Sequence, residues 1–140
     1  MSNTTPTNGS AALAIELGKT FQLIAQQMGN YLQDNIIEMA KDPASLHTFT
    51  DDQSRVLSYS NTFFSLGARL AFQNADASIA AVQEATKAIN ANLNSIQKTD
   101  KWINFAGAVI TLGAAIVTGN FGNIVGSAEA ILATFNVKIP

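Results

Sequence analysis

Along most of this chain apolar residues recur at alternating spacings of three and four, the repeat of one face of an α-helix. Leu17, Phe21, Ile24, Met28 and Tyr31 form the first such seam. It predicts a helix over residues 11–41, stopped at Asp42-Pro43 because a proline disfavours helical geometry in the residue before it. Residues 42–50 then read as a loop. Thr50 caps a second helix, and Asp51 and Asp52 complement its N-terminal dipole. The second pattern runs over 50–99 without a proline. It holds two seams: Val56, Tyr59, Phe63, Leu66 and Leu70, then Phe72, Ala75, Ile79, Val82, Thr86, Ile89, Leu93 and Ile96. They fall out of phase near Leu70. An unbroken helix of roughly 50 residues would be about 75 Å long, so the expectation is a break at Gly67 to Asn74 or a rod-shaped molecule. Residues 1–10, MSNTTPTNGS, read as a disordered polar tail ending in a cap at Ser10. No strand alternation and no long repeat appears. The expected fold is all-α, one helical domain over 11–140: a long helical hairpin or coiled-coil-like bundle with a C-terminal hydrophobic helical hairpin over 102–136.

That hairpin differs in character from the rest. Between Trp102 and Val137 the sole charged residue is Glu129. The first arm, 102–118, is apolar nearly all round, with Phe105, Val109, Leu112 and Ile116 on one face and Ile103, Ile110 and Val117 on another. Gly119-Asn120-Phe121-Gly122-Asn123 supplies a turn. In the second arm Phe121, Ile124, Val125, Ala128, Ile131, Leu132 and Phe135 share one side, and Gly122, Gly126, Glu129, Ala133 and Asn136 the other. Small residues return at every fourth position: Gly107, Thr111, Ala115 and Gly119, then Gly122, Gly126, Ala130 and Thr134. Such spacing lets helix backbones approach closely. Gly113 adds a further glycine to the first arm. Lys98, Lys101 and Trp102 at one end and Lys138 at the other fit interfacial anchors. The candidate inserting or assembling element is thus Trp102, Phe105, Gly107, Gly113, Gly119, Phe121, Gly122, Gly126, Glu129 and Phe135.

Magnitudes limit insertion. An arm of about 16 residues falls short of the roughly 20 that span a bilayer, and Glu129 costs about 3 kcal/mol at mid-bilayer. Glu129 is therefore expected to face water, a lumen or a donor across a subunit contact. A helix apolar all round is also what the core of a soluble bundle looks like. Three destinations stay open for the segment: that core, a contact between subunits of a homo-polymer, or a bilayer.

Composition narrows the function classes. Of the 140 residues, 47% are hydrophobic and only 13% charged, with a net charge of -2. No basic footprint points to nucleic acid. The chain has no cysteine, which removes thiol catalysis, disulfides and cysteine-ligated metal. Its one histidine, His47, has no carboxylate at ligand spacing and reads as a solvated loop residue. Asp34, Glu38 and Asp42 recur at i, i+4 and i+8 and read as a solvated face. The Gly107, Gly113 and Gly119 series lacks the preceding strand and following Lys-Ser/Thr of a phosphate loop. The expectation is a non-enzyme with no cofactor, no metal and no small-molecule substrate, and with itself or a lipid membrane as partner. Without a basic n-region and apolar h-region, the N-terminus does not read as a secretory signal. Synthesis in the cytoplasm, followed by release or export to act on membranes, is expected.

The apolar, glycine-rich stretch from Trp102 to Val137 resembles the inserting segment of the α-helical pore-forming toxins, which hide such a hairpin in their soluble form. This chain is far shorter than the well-known members and carries the hairpin at its extreme C-terminal end. Residues 61–85, NTFFSLGARLAFQNADASIAAVQEA, resemble the Ala/Gln/Asn-rich helices of R-body proteins, which polymerise into ribbons. The first resemblance implies a membrane-disrupting toxin or effector component, the second a structural self-assembling subunit of a filament, ribbon or shell.

Overall fold

Asp42 and Pro43 end one helix and begin the next. Proline is tolerated at the first helical position because its missing N–H would have no intrahelical partner there. Asp42 caps it: its carboxylate accepts from Ser45 N–H at 3.2 Å and from Ser45 Oγ at 2.8 Å. The computed structural model describes residues 4–66 and 76–135. In these residues the chain forms α1 (Thr4–Met39), α2 (Pro43–Leu66), α3 (Asp76–Asn92), a 3₁₀ turn (Leu93–Ser95), α4 (Thr99–Thr118) and α5 (Phe121–Thr134). No strand occurs among the described residues, and the fold is an all-α bundle.

The helices do not pack in chain order. α1 lies against α2, α2 against α4, α4 against α5 and α5 against α3, and α3 touches α1 only lightly. The seams that mark each helix in the sequence turn inward. Leu17, Phe21, Ile24 and Met28 of α1, Val56 and Phe63 of α2, and Val82, Thr86 and Ile89 of α3 are all buried. Phe21 meets Phe63 edge-to-face, with ring centroids 5.0 Å apart, a geometry favoured by the ring quadrupole.

Several boundaries differ from the sequence reading. α1 starts at Thr4, upstream of the expected cap at Ser10. The loop expected over 42–50 is instead the start of α2, so His47 and Thr50 lie on a helix, with Thr50 Oγ1 donating to His47 O at 3.0 Å. Asp51 and Asp52 then sit well inside α2. Asp51 pairs with Arg55 at 3.1 Å across one turn. Proline was read as a stop alone, although it serves as well at a start. The expected break at Gly67 to Asn74 falls on residues outside the described ones; α2 ends before them and α3 begins after them.

Asparagine accounts for two further departures. Asn35 has φ −125° and ψ 19° inside α1, and its Nδ2 donates to Tyr31 O at 2.8 Å. Asn92, φ −125° and ψ 4°, ends α3 with Nδ2 on Ala88 O at 2.9 Å. In both, the side-chain amide bonds the carbonyl four residues back while the backbone leaves helical geometry, the competition that makes asparagine a poor interior helix residue. The helix expected to reach 99 therefore stops at Asn92. Leu93 and Ile96 stay buried all the same, delivered by the 3₁₀ turn and the extended residue after it.

Candidate functional site

The α4–α5 hairpin is built by its turn. Gly119 adopts φ 74°, a left-handed conformation that glycine takes without steric cost. Its N–H reaches Ile116 O at 3.3 Å, and Asn120 N–H reaches Ala115 O at 2.9 Å, the paired bonds of a Schellman ending. Asn120 then caps α5, its Oδ1 accepting from Asn123 N–H at 3.2 Å. One glycine and one asparagine thus reverse the chain, and the two arms pack on each other.

The two faces of the hairpin are unlike. Inward, α4 buries Trp102, Phe105, Ala106, Val109, Leu112, Gly113, Ala115 and Ile116, and α5 buries Ile124, Ala128, Ile131 and Leu132. Phe135 packs edge-on to Phe105 at 5.4 Å. Outward, Asn104, Gly107, Thr111, Gly122, Asn123, Gly126 and Ala130 are exposed. Together with Ala108 and Ser127 most of them line a shallow groove of about 330 Å³ between the arms. Thr111 Oγ1 donates to Gly107 O at 2.9 Å within its own helix. Glu129 is exposed beside the groove glycines and faces water.

The glycines separate into two kinds. A Cβ added at Gly107 or Gly126 would meet nothing within 4 Å, whereas one at Gly113 would lie 2.9 Å from Tyr59 Cγ and 3.1 Å from Phe21 Cε2. Gly113 is therefore where α4 comes close to α1 and α2, while Gly107, Gly122 and Gly126 open onto the surface. Close backbone approach, expected of the four-residue spacing, occurs within the bundle at Gly113 and not at Gly107 or Gly126. At 3.6 residues per turn a four-residue step drifts around the helix, so Gly107 and Thr111 are outside and Ala115 is buried.

The anchors separate likewise. Lys98 and Lys101 are exposed, but Trp102 is only 2% exposed. It sits 6.2 Å from the Tyr31 ring and 5.9 Å from Phe105. Its Nε1 is buried without a hydrogen-bond partner. In this conformation Trp102 is a core residue and not a surface anchor, because α1 lies over it. Phe121 opens α5, and Lys138 lies outside the described residues.

Elsewhere, a polar cleft of about 460 Å³ lies where α1, α2 and α4 meet, lined among others by Tyr31, Asn35, Glu38, Asp42, Lys98 and Asp100. Sequence reasoning missed it, since it joins residues distant in the chain. Its three acids are engaged: Glu38 with Lys41 at 2.8 Å, Asp42 with Ser45, and Asp100, whose Oδ1 accepts from Lys101 N–H at 2.9 Å. Hydrogen bonds from Ser45 hold the Asp42 carboxyl below its ordinary pKa. Asp34, Glu38 and Asp42 are all exposed, although the kink at Asn35 and the helix start at Pro43 take them off one continuous helix face. No group of three acids or histidines suited to a metal occurs among the described residues. No known family, no curated protein and no solved structure matches this chain, so the functional argument rests on the hairpin itself.

Proposed function

We propose that this is a membrane-active helical protein, a pore-forming or membrane-disrupting toxin or effector component that stores its C-terminal hairpin in a folded bundle and inserts it into lipid. One observation carries the reading. α4 is 20 residues long, its most apolar 18-residue stretch has a mean hydropathy of 1.4, which by length and composition suits a bilayer crossing, and 44% of that stretch is buried. A helix of that length spans about 30 Å, the thickness of the hydrocarbon core. The apolar part is still the roughly 16 residues read from the sequence, since the first turn is Thr99, Asp100 and Lys101, which belong at the headgroups and leave the arm slightly short of a full hydrocarbon core. α5, with 14 residues, reaches about 21 Å. It would fill part of the depth, with Glu129 turned to a water-filled lumen or a neighbouring copy.

Dye release from vesicles tests the proposal. Release or lipid association at micromolar protein on anionic or neutral vesicles is expected; its absence on both rejects the reading.

The open groove favours a second reading, a self-assembling subunit. Gly107 and Gly126 present bare backbone on a face of small residues with Glu129 beside them, where the helices of a second copy could pack closely. Ordered polymers in negative-stain micrographs, formed without lipid and lost in Gly107→Leu or Gly126→Leu, would support that reading over insertion.

A further inference from the structure

α4 cannot enter a bilayer while α1 and α2 hold it, so the contact that holds it sets when the hairpin is free. That contact is unusually tight at one place. Gly113 lies under Tyr59 of α2 and the ring edge of Phe21 of α1, closer than any side chain would permit. Tyr59 in turn stacks on Phe63 at 6.3 Å, and Phe63 meets Phe21 at 5.0 Å. Two aromatic rings, one from each helix, thus meet on one glycine of the third, and Phe63 braces both rings. α2 is separately fastened to α1. Gly18 takes the Phe64 ring, which would lie 2.8 Å from an added Cβ, and Ser60 Oγ donates to Gly18 O at 2.7 Å in a buried bond. The α1–α2 pair therefore has its own fastening and can stay together when α4 leaves.

We propose that the Gly113 seat under Tyr59 and Phe21 is a catch that holds the apolar hairpin in the bundle, and that parting of α4 from α2 at this point is the step that frees the hairpin. The inference rests on the membrane-active reading for its purpose, but the catch is measurable without lipid. A side chain at Gly113 has no room, and overpacking of this kind costs about 1–3 kcal/mol. If the cost falls on docking of the hairpin, it raises the population of the open form by about five- to 150-fold, at tenfold for each 1.4 kcal/mol.

Two experiments test the catch. In Gly113→Val, hydrogen exchange of α4 and α5 amides should accelerate by that factor while α1 and α2 amides change little. Uniform acceleration through all five helices would overturn the proposal. Because the valine variant risks misfolding, the second experiment locks the seat. The chain has no cysteine, and Tyr59 Cβ is one bond beyond the Cγ that nearly touches Gly113. The pair Tyr59→Cys with Gly113→Cys thus brings its Cβ atoms within about 4.5 Å, the disulfide range. Oxidised, this protein should release no dye from vesicles; reduced, it should release dye at least as fast as the parent. Equal release in both states overturns the catch. Selective exchange in Gly113→Val with no release from any form, the parent included, leaves the catch standing and rejects membrane activity instead.

Discussion

Two carboxylates of neighbouring segments respond to pH in opposite directions, and each does so through its nearest atoms. Asp42 is fully exposed, but the Ser45 hydroxyl and N–H donate to it and hold its pKa below the ordinary 3.8. The folded protein takes up that proton less readily than the unfolded chain. Its stabilising effect is therefore present above pH 3.8 and lost as pH falls through the lowered folded value. Asp52 is the reverse case. Partial burial, then the charge of Asp51, raise its pKa, while Arg55 pulls it down. The folded state favours its protonated form, so the charged form costs stability above the raised value, and the cost disappears on acidification below 3.8. Asp42→Ala should lower Tm at neutral pH and Asp52→Asn should raise it. Thermal melts across the acidic range should show both differences shrinking toward zero. A difference that holds constant with pH would mean that the side chain acts through packing and not through its charge.

At the scale of whole helices, the same substitution should have opposite signs at different glycines. Gly107 and Gly126 lie within helices and face open space, so alanine there should stabilise by about 0.5–1 kcal/mol through helix propensity. Gly119 holds φ 74°, and Gly119→Ala should destabilise by about 1–2 kcal/mol. Denaturant titration of the three variants checks this; destabilisation by Gly107→Ala would show that its face is covered. The contrast also marks what could be read from the chain. The three-four seams gave the helices and their inward faces, since one buried stripe leaves a period in the sequence. The turn at Gly119 was equally legible, because few residues other than glycine follow a helix in that conformation. What the periodicity could not show was which neighbour each face meets. Gly107 and Gly113 look alike in the sequence, and only the placement of Tyr59 and Phe21, far away in the chain, makes one a packing site and the other open surface. The helix start at Pro43 and the departures at Asn35 and Asn92 were not legible for a local reason. Each serves in more than one backbone role, and the choice depends on hydrogen bonds to residues three or four positions away.

Across the molecule, the large side chains on the inward face of α4 pack against protein, but one polar group among them is left unsatisfied. The Trp102 Nε1 is buried without a partner, and an unmet donor costs about 1–3 kcal/mol. An indole at a membrane interface keeps its ring in an apolar layer while its N–H meets water or a headgroup. Moving α4 into lipid would relieve that deficit at the end of the helix where Lys98 and Lys101 are exposed. In the bundle the aromatic packing of Tyr31 and Phe105 offsets the deficit. Because Trp102 is the only tryptophan, its fluorescence reports the exchange directly. In solution, acrylamide should quench it weakly, in keeping with its 2% exposure. With vesicles, a spin label at headgroup depth should quench it more strongly than a label near the bilayer centre. Stronger quenching by the deep label would place this end of α4 inside the hydrocarbon and remove its role as an anchor. If neither label quenches although the protein sediments as polymer, Trp102 has stayed under Tyr31, and the molecule assembles through its outer groove with α4 still in the bundle.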